Sequence, residues 1–218
     1  MAAVTLIGTV HNERGACTVD ALHKILRTLG PTVAFLEIRA SDLAIYATQM
    51  LEARAVQSYS MHGQVEAIAM DDFQFPTSFR SEMDFTFAYV EQRSEEYNEL
   101  VEKRESTASL GFEALNGADF EALVEKCENC MEACIAGSND KEFIRRYAAW
   151  TTFLRQREES MLSNIYDFCR KQPDTRGVFL VGAAHLSSLT KGVLKRIAKE
   201  PEAVSWEVWN NPNRLSLR

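Results

Sequence analysis

Val4-Thr5-Leu6-Ile7-Gly8-Thr9-Val10-His11, near one end of the chain, and Val178-Phe179-Leu180-Val181-Gly182-Ala183-Ala184-His185, near the other, are two copies of one pattern. In each, a short continuous apolar run ends on a glycine and a histidine stands three residues later. Runs of this length, rich in β-branched residues, read as strands covered on both faces. The glycine permits close backbone approach or an unusual φ at the strand's end. Each histidine then leaves the carboxyl end of a buried strand, where open α/β sheets place their ligands.

The frame around the two copies also repeats. After His11, Val19, Leu22, Ile25, Leu26 and Leu29 recur at helical spacing, with Asp20 near the start and Gly30-Pro31 at the end. A second strand, Thr32 to Ile38, follows. After His185 the spacing predicts a helix from about Ser187 to Lys199 and a last strand from Ala203 to Trp209. Pro31 stands six residues before Glu37, and Pro201 six before Glu207. Val65 to Met70 reads as a third strand. Before it, Ser41 or Asp42 caps a helix running to about Ser58, with Leu43, Tyr46, Ala47, Met50 and Leu51 on one face.

Residues 78–171 differ in texture, being rich in Glu, Lys, Arg, Leu and Ala. They read as three or four helices, broken near Asn116-Gly117 and Gly137-Ser138-Asn139-Asp140. The expected fold is therefore α/β, one domain over residues 1–218. A central, largely parallel or mixed sheet is built from the N- and C-terminal units (1–76 and 177–218), and 78–171 form a helical insertion.

Composition narrows the function classes. A hydrophobic share of 46% and a charged share of 25% suit an ordinary globular protein. The net charge is −7 and no run of Lys and Arg forms a basic stripe, so nucleic acid is not an expected partner. No apolar stretch approaches the ~18 residues of a membrane span, and the opening residues read as a strand, not a leader. The five cysteines are an odd number without a secretion signal, which fits a reducing cytoplasm.

If the two units pack side by side, His11 and His185 converge on one crevice and Glu37 arrives beside them. Two histidines and a carboxylate are a common ligand set for Zn or Mn and equally an acid–base set. Glu37 has a competing partner in Arg39. Asp71, at the end of the third strand, is a further candidate ligand, although Asp71-Asp72 also reads as the start of a loop. His23 reads as structural and His62 as an exposed turn residue. Cys127, Cys130 and Cys134 share one helical face, which suits core packing better than a metal. Cys17 would be a nucleophile only with a base in reach.

At these residues the chain resembles the TraB/GumN/TIKI superfamily, to which erythromycin esterases and ChaN-like proteins are related. The resemblance rests on Gly8-Thr9-Val10-His11, Phe35-Leu36-Glu37-Ile38, Arg157-Glu158-Glu159-Ser160-Met161 and Phe179 to Leu186, in that order along the chain. It implies a compact α/β fold with one site formed by His11, Glu37, Arg157 and His185. It further implies a hydrolase-like activity on a peptide or ester bond of a peptide or small-molecule substrate.

The expected mechanism is metal-assisted hydrolysis. His11, Glu37, His185 and Asp71 would surround a divalent ion (Mn, Co or Zn) that activates a water, and Arg157 would bind a substrate carboxylate or the developing oxyanion. No organic cofactor is expected. The alternatives are a metal-free esterase-like site with a histidine base oriented by Glu37, and a non-catalytic or effector module whose helical insertion docks a partner protein. A deep crevice at the histidines would favour the enzyme; an exposed apolar patch on the insertion would favour the partner.

Overall fold

The computed structural model describes residues 1–46, 48–61, 65–74 and 76–210; Ala47 and His62 lie outside them. The strands are β1 (Ala2–Thr9), β2 (Val33–Arg39), β3 (Glu66–Asp71), β4 (Arg176–Gly182) and β5 (Val204–Val208). The helices are α1 (Val19–Leu29), α2 (Leu43–Tyr46), α3 (Leu51–Ser60), α4 (Thr77–Glu91), α5 (Glu95–Ala108), α6 (Phe112–Leu115), α7 (Ala118–Gly137), α8 (Lys141–Lys171) and α9 (Leu186–Ile197), the last entered through a single tight turn at Ala183–His185. Among the described residues no helix is long and apolar enough to cross a membrane.

All five strands are parallel, in the order β3-β2-β4-β1-β5. The two strands that carry the Gly-x-x-His pattern are therefore neighbours, paired in register from Ala3 with Arg176 to Thr9 with Gly182. From β1 the chain reaches β2 by passing over β4; from β4 it reaches β5 by passing over β1. Right-handed crossovers in opposite directions place α1 and α9 on opposite faces of the sheet. Accordingly α1 packs on α3, and α9 packs on α8. A two-fold rotation about an axis along the strands exchanges β1 with β4, β2 with β5 and α1 with α9. The carboxyl ends of β1 and β4 form the topological switch point, the place where ligands bind in sheets of this kind.

The main core is the sandwich that this arrangement predicts. Leu6, Phe35, Phe179 and Trp206 are buried; Phe35 meets Phe168 of α8 edge-on, and Trp206 stacks near Tyr166 of the same helix. The helical segment is not a separate appendage. Ala108, Phe112, Leu115, Phe120 and Val124 belong to the main core, while Val90, Tyr97, Cys127, Met131 and Ile135 form a second, smaller one. The 31-residue α8, about 46 Å long, serves both: its buried residues begin at Arg157, and residues 141–156 include none.

Two local expectations change. The single helix from Ser41 or Asp42 to Ser58 is two, α2 and α3. The break lets the Leu51 N–H donate to the His11 carbonyl (2.9 Å), which replaces the side-chain cap that Met50 lacks. The insertion holds five helices, with further breaks at Ser94, whose hydroxyl caps α5, and at Gly111, whose φ of 118° suits a glycine.

Candidate active site

The two histidines meet at the switch point. Gly182 marks the spot: a Cβ placed on it would lie 3.6 Å from His11 Nε2, 3.6 Å from His185 Cδ2 and 3.4 Å from Glu37 Oε2. A Cβ there would be in ordinary van der Waals contact with all three groups, so Gly182 marks the place where they meet. Gly8 is needed for a different contact, since its Cβ would lie 2.5 Å from Leu186 Cδ1. Neither glycine has a positive φ, and close approach is the reason at Gly8 alone.

Each imidazole is held from behind by a carboxylate. His11 Nδ1 donates to Glu52 Oε1 at 2.9 Å, and His185 Nδ1 to Glu158 Oε1 at 2.6 Å. Glu52 comes from α3 and Glu158 from α8, so the two pairs approach from opposite faces of the sheet, in keeping with the two-fold. Such a partner fixes which ring nitrogen carries the proton and directs Nε2 forward. Thr9 Oγ1 lies 2.6 Å from the same Glu52 oxygen and 3.0 Å from the Val181 carbonyl. Glu52 Oε2 is buried with no hydrogen-bond partner among the described residues.

The symmetry ends at Glu37. Its side chain, 4% exposed, accepts the Gly182 N–H at 2.7 Å and the Arg157 guanidinium at 2.7 Å, and lies 3.4 Å from His185 Nε2. Glu207, its counterpart by sequence, is exposed on β5 opposite Thr5 and does not reach the site. Arg157 also donates to Asp71 Oδ2 at 2.7 Å, bridging two buried carboxylates. The competing partner of Glu37, Arg39, pairs instead with Asp42.

Four carboxylates (Glu37, Glu52, Asp71 and Glu158) thus face one arginine, and the imbalance favours charged imidazoles. The hydrogen bond from Glu52 raises the His11 pKa above its ordinary 6.5, against the effect of burial. At His185 burial opposes the charge most strongly. The Glu158 hydrogen bond and the charges of Glu37 and Glu158 together outweigh it, and its pKa is raised as well. Glu37 is held below the usual 4.5: burial works against the carboxylate, but His185, Arg157, the Gly182 N–H and His11 overcome it. The histidines differ in access, His11 being 47% exposed and His185 17%.

As a set, His11, Glu37, His185 and Asp71 do not fit the divalent ion expected of them. Both Glu37 oxygens are engaged by Arg157 and Gly182, and Asp71 spends Oδ2 on Arg157 and Oδ1 on the Phe73 N–H at 2.9 Å. A cation at either carboxylate would stand against the guanidinium. Among the described residues no group of three or more His, Cys, Asp or Glu side chains is placed to hold an ion.

Other candidates lie elsewhere. Asp72 binds Asn164 and Ser160 of α8. His23 bonds Ser58 and ties α1 to α3. Cys17 is fully buried against the Ala108 carbonyl, and burial pushes its thiol up. Cys127 packs in the second core. An open groove of about 490 Å³ runs between α1 and the Phe112–Glu113 and Trp209 side, away from the histidines.

Reading the residues alone did not single out Glu52 or Asn116. The only signal for Glu52 is that a histidine leaving a strand end needs an Nδ1 acceptor, which does not choose among thirty-one acidic residues. Asn116 accepts from the Gly8 N–H (2.7 Å) and donates to its carbonyl (2.9 Å), completing β1 beyond the end of β5. No family model, curated protein or solved structure matches this chain.

Proposed function

We propose that the protein is a hydrolase that cleaves an ester or amide bond by metal-independent acid–base chemistry at His11 and His185. The observation that carries this reading is the pair of His–Glu dyads with their rings converging beside Gly182. A carboxylate on Nδ1 makes Nε2 a competent base in the neutral ring and a stabilised acid in the charged one.

The asymmetry supports a division of roles. His11, half-exposed and paired with Glu52 alone, is the base toward water. His185, buried between Glu158 and Glu37, is the imidazolium. Water attacks the carbonyl carbon as its proton passes to His11 Nε2. The oxyanion forms against the His185 imidazolium, the charged donor that faces it in this reading. The carbon–heteroatom bond then breaks, and His185 Nε2 gives its proton to the departing alcohol or amine. Exchange with solvent returns His11 to the neutral form and His185 to the charged one. Arg157 holds Glu37 and Asp71 in place.

The competing mechanism is a divalent ion that His11 and His185 would hold and that would supply an activated water, and chelation separates the two. Chelator-treated protein is assayed on p-nitrophenyl esters and anilides, beside His11→Ala and His185→Ala. Turnover that survives chelation and falls at least about 10³-fold in each variant is the expected result. Activity that returns only with added Mn, Co or Zn overturns the metal-free mechanism, and activity retained in both variants overturns the site. A docking role for the helical segment has one observation behind it, the exposure of Phe85 and Ile144, but it leaves the two dyads without a use.

A further inference from the structure

A cluster of aromatic rings rises from one side of the site. Phe73 meets Phe153 with ring centres 5.5 Å apart, Phe153 meets Phe79 at 5.4 Å, and Phe79 meets Trp150 at 5.7 Å. All four side chains are only partly buried, and none belongs to either core. The cluster is joined at two points to Arg157 and Asp71, the pair that holds Glu37 in place. Phe153 precedes Arg157 by one turn on the same face of α8. Phe73 follows β3, and its N–H is bound by Asp71, the carboxylate that also holds Arg157. A polar site with four carboxylates therefore has one apolar margin, made of large rigid rings that bury much area at low entropic cost.

We infer that Phe73, Phe79, Trp150 and Phe153 are specificity-determining residues: they form a wall for an apolar group beside the scissile bond, so the substrates are esters or amides of medium-chain aliphatic or aromatic acids. The inference rests on the hydrolase reading for its substrate and on the rings' continuity with the site for its location. A half-covered wall gives about half the ~0.8 kcal/mol of a fully buried methylene, or about twofold per carbon.

The test compares kcat/KM for p-nitrophenyl octanoate with that for the acetate, as a ratio within each protein. The wild-type ratio is expected to be about 60-fold, from six doublings of about twofold, and to fall at least about tenfold in Phe153→Ala and in Trp150→Ala. Phe85→Ala, whose ring stacks on Phe143 and meets none of the four wall rings in the contacts described, should keep the wild-type ratio. Far-ultraviolet circular dichroism identifies any variant that fails to fold, and the other one then decides. A wild-type ratio near one, or a ratio equally high in both folded variants, overturns the wall. If no ester is turned over, the hydrolase reading fails and calorimetry with octanamide and acetamide still decides the wall. Octanamide binding that both variants weaken about tenfold supports it, and no preference over acetamide overturns it.

Discussion

Glu52 contributes to His11 what Glu158 contributes to His185, and each pair has its own test. Replacing Glu52 by Gln keeps the shape but removes the largest influence holding the His11 pKa above its ordinary value. The acid limb of the kcat/KM profile should move to lower pH, with kcat down about 10²- to 10⁴-fold because the ring tautomer is no longer fixed. An unmoved limb would remove His11 from the role of base. Arg157 acts differently, since its loss strands two buried carboxylates. Arg157→Met should cost about 3–5 kcal/mol in urea unfolding, whether or not substrate binds; a loss under about 1 kcal/mol would mean that Glu37 and Asp71 are not paired as described. The sequence pointed to Glu37 and both histidines because each stands at or just beyond the end of an apolar run, whereas Arg157 was named only through the family resemblance, and for binding substrate instead of bridging Glu37 and Asp71. Glu52 was not legible: its role depends on the α2–α3 break, and that break depends on a bond from Leu51 to the His11 carbonyl, across the fold.

At the scale of elements, the strands were legible and the helical joints were not. A buried parallel strand is a continuous apolar run, so the five strands could be bounded to within a residue or two. The turns at residues 92–94 and 109–111 carry weaker local signals, a serine cap and a single glycine, inside otherwise helical composition. Asn116 shows why a motif read locally can be incomplete. Its position between α6 and α7 suggests a helix end, yet its side chain completes the hydrogen bonding of Gly8 on β1. Asn116→Ala should leave a buried N–H and carbonyl unsatisfied and cost about 2–4 kcal/mol. Gly8→Ala should cost about 1–3 kcal/mol by forcing Leu186 aside. Chemical denaturation of each variant checks both, and a neutral Asn116→Ala would show that water replaces the amide.

For the whole molecule, the site makes stability depend on pH in a defined direction. The histidines charge more readily in the folded state, so their contribution is fully present below the ordinary 6.5 and is lost as pH rises through their raised folded values. Glu37 works the other way: its contribution is present above 4.5 and is lost as pH falls through its lowered folded value. Between those pH values both are in place, and the urea midpoint should be highest there. The double variant His11→Ala/His185→Ala should lose the alkaline decline, and a decline unchanged in it would place its origin elsewhere. The interleaved strand order has another effect, on the timing of synthesis. β1 leaves the ribosome long before both of its neighbours, β4 and β5, which begin only at residues 176 and 204. Until then its backbone lacks its native partners, and His11 has no His185 to face. Local helices can form early, but closing the sheet must await pairings across most of the chain, a topology that folds slowly. A nascent chain stalled before residue 176 should therefore be open to proteases and chaperones, and the paired-histidine site should form in one late step.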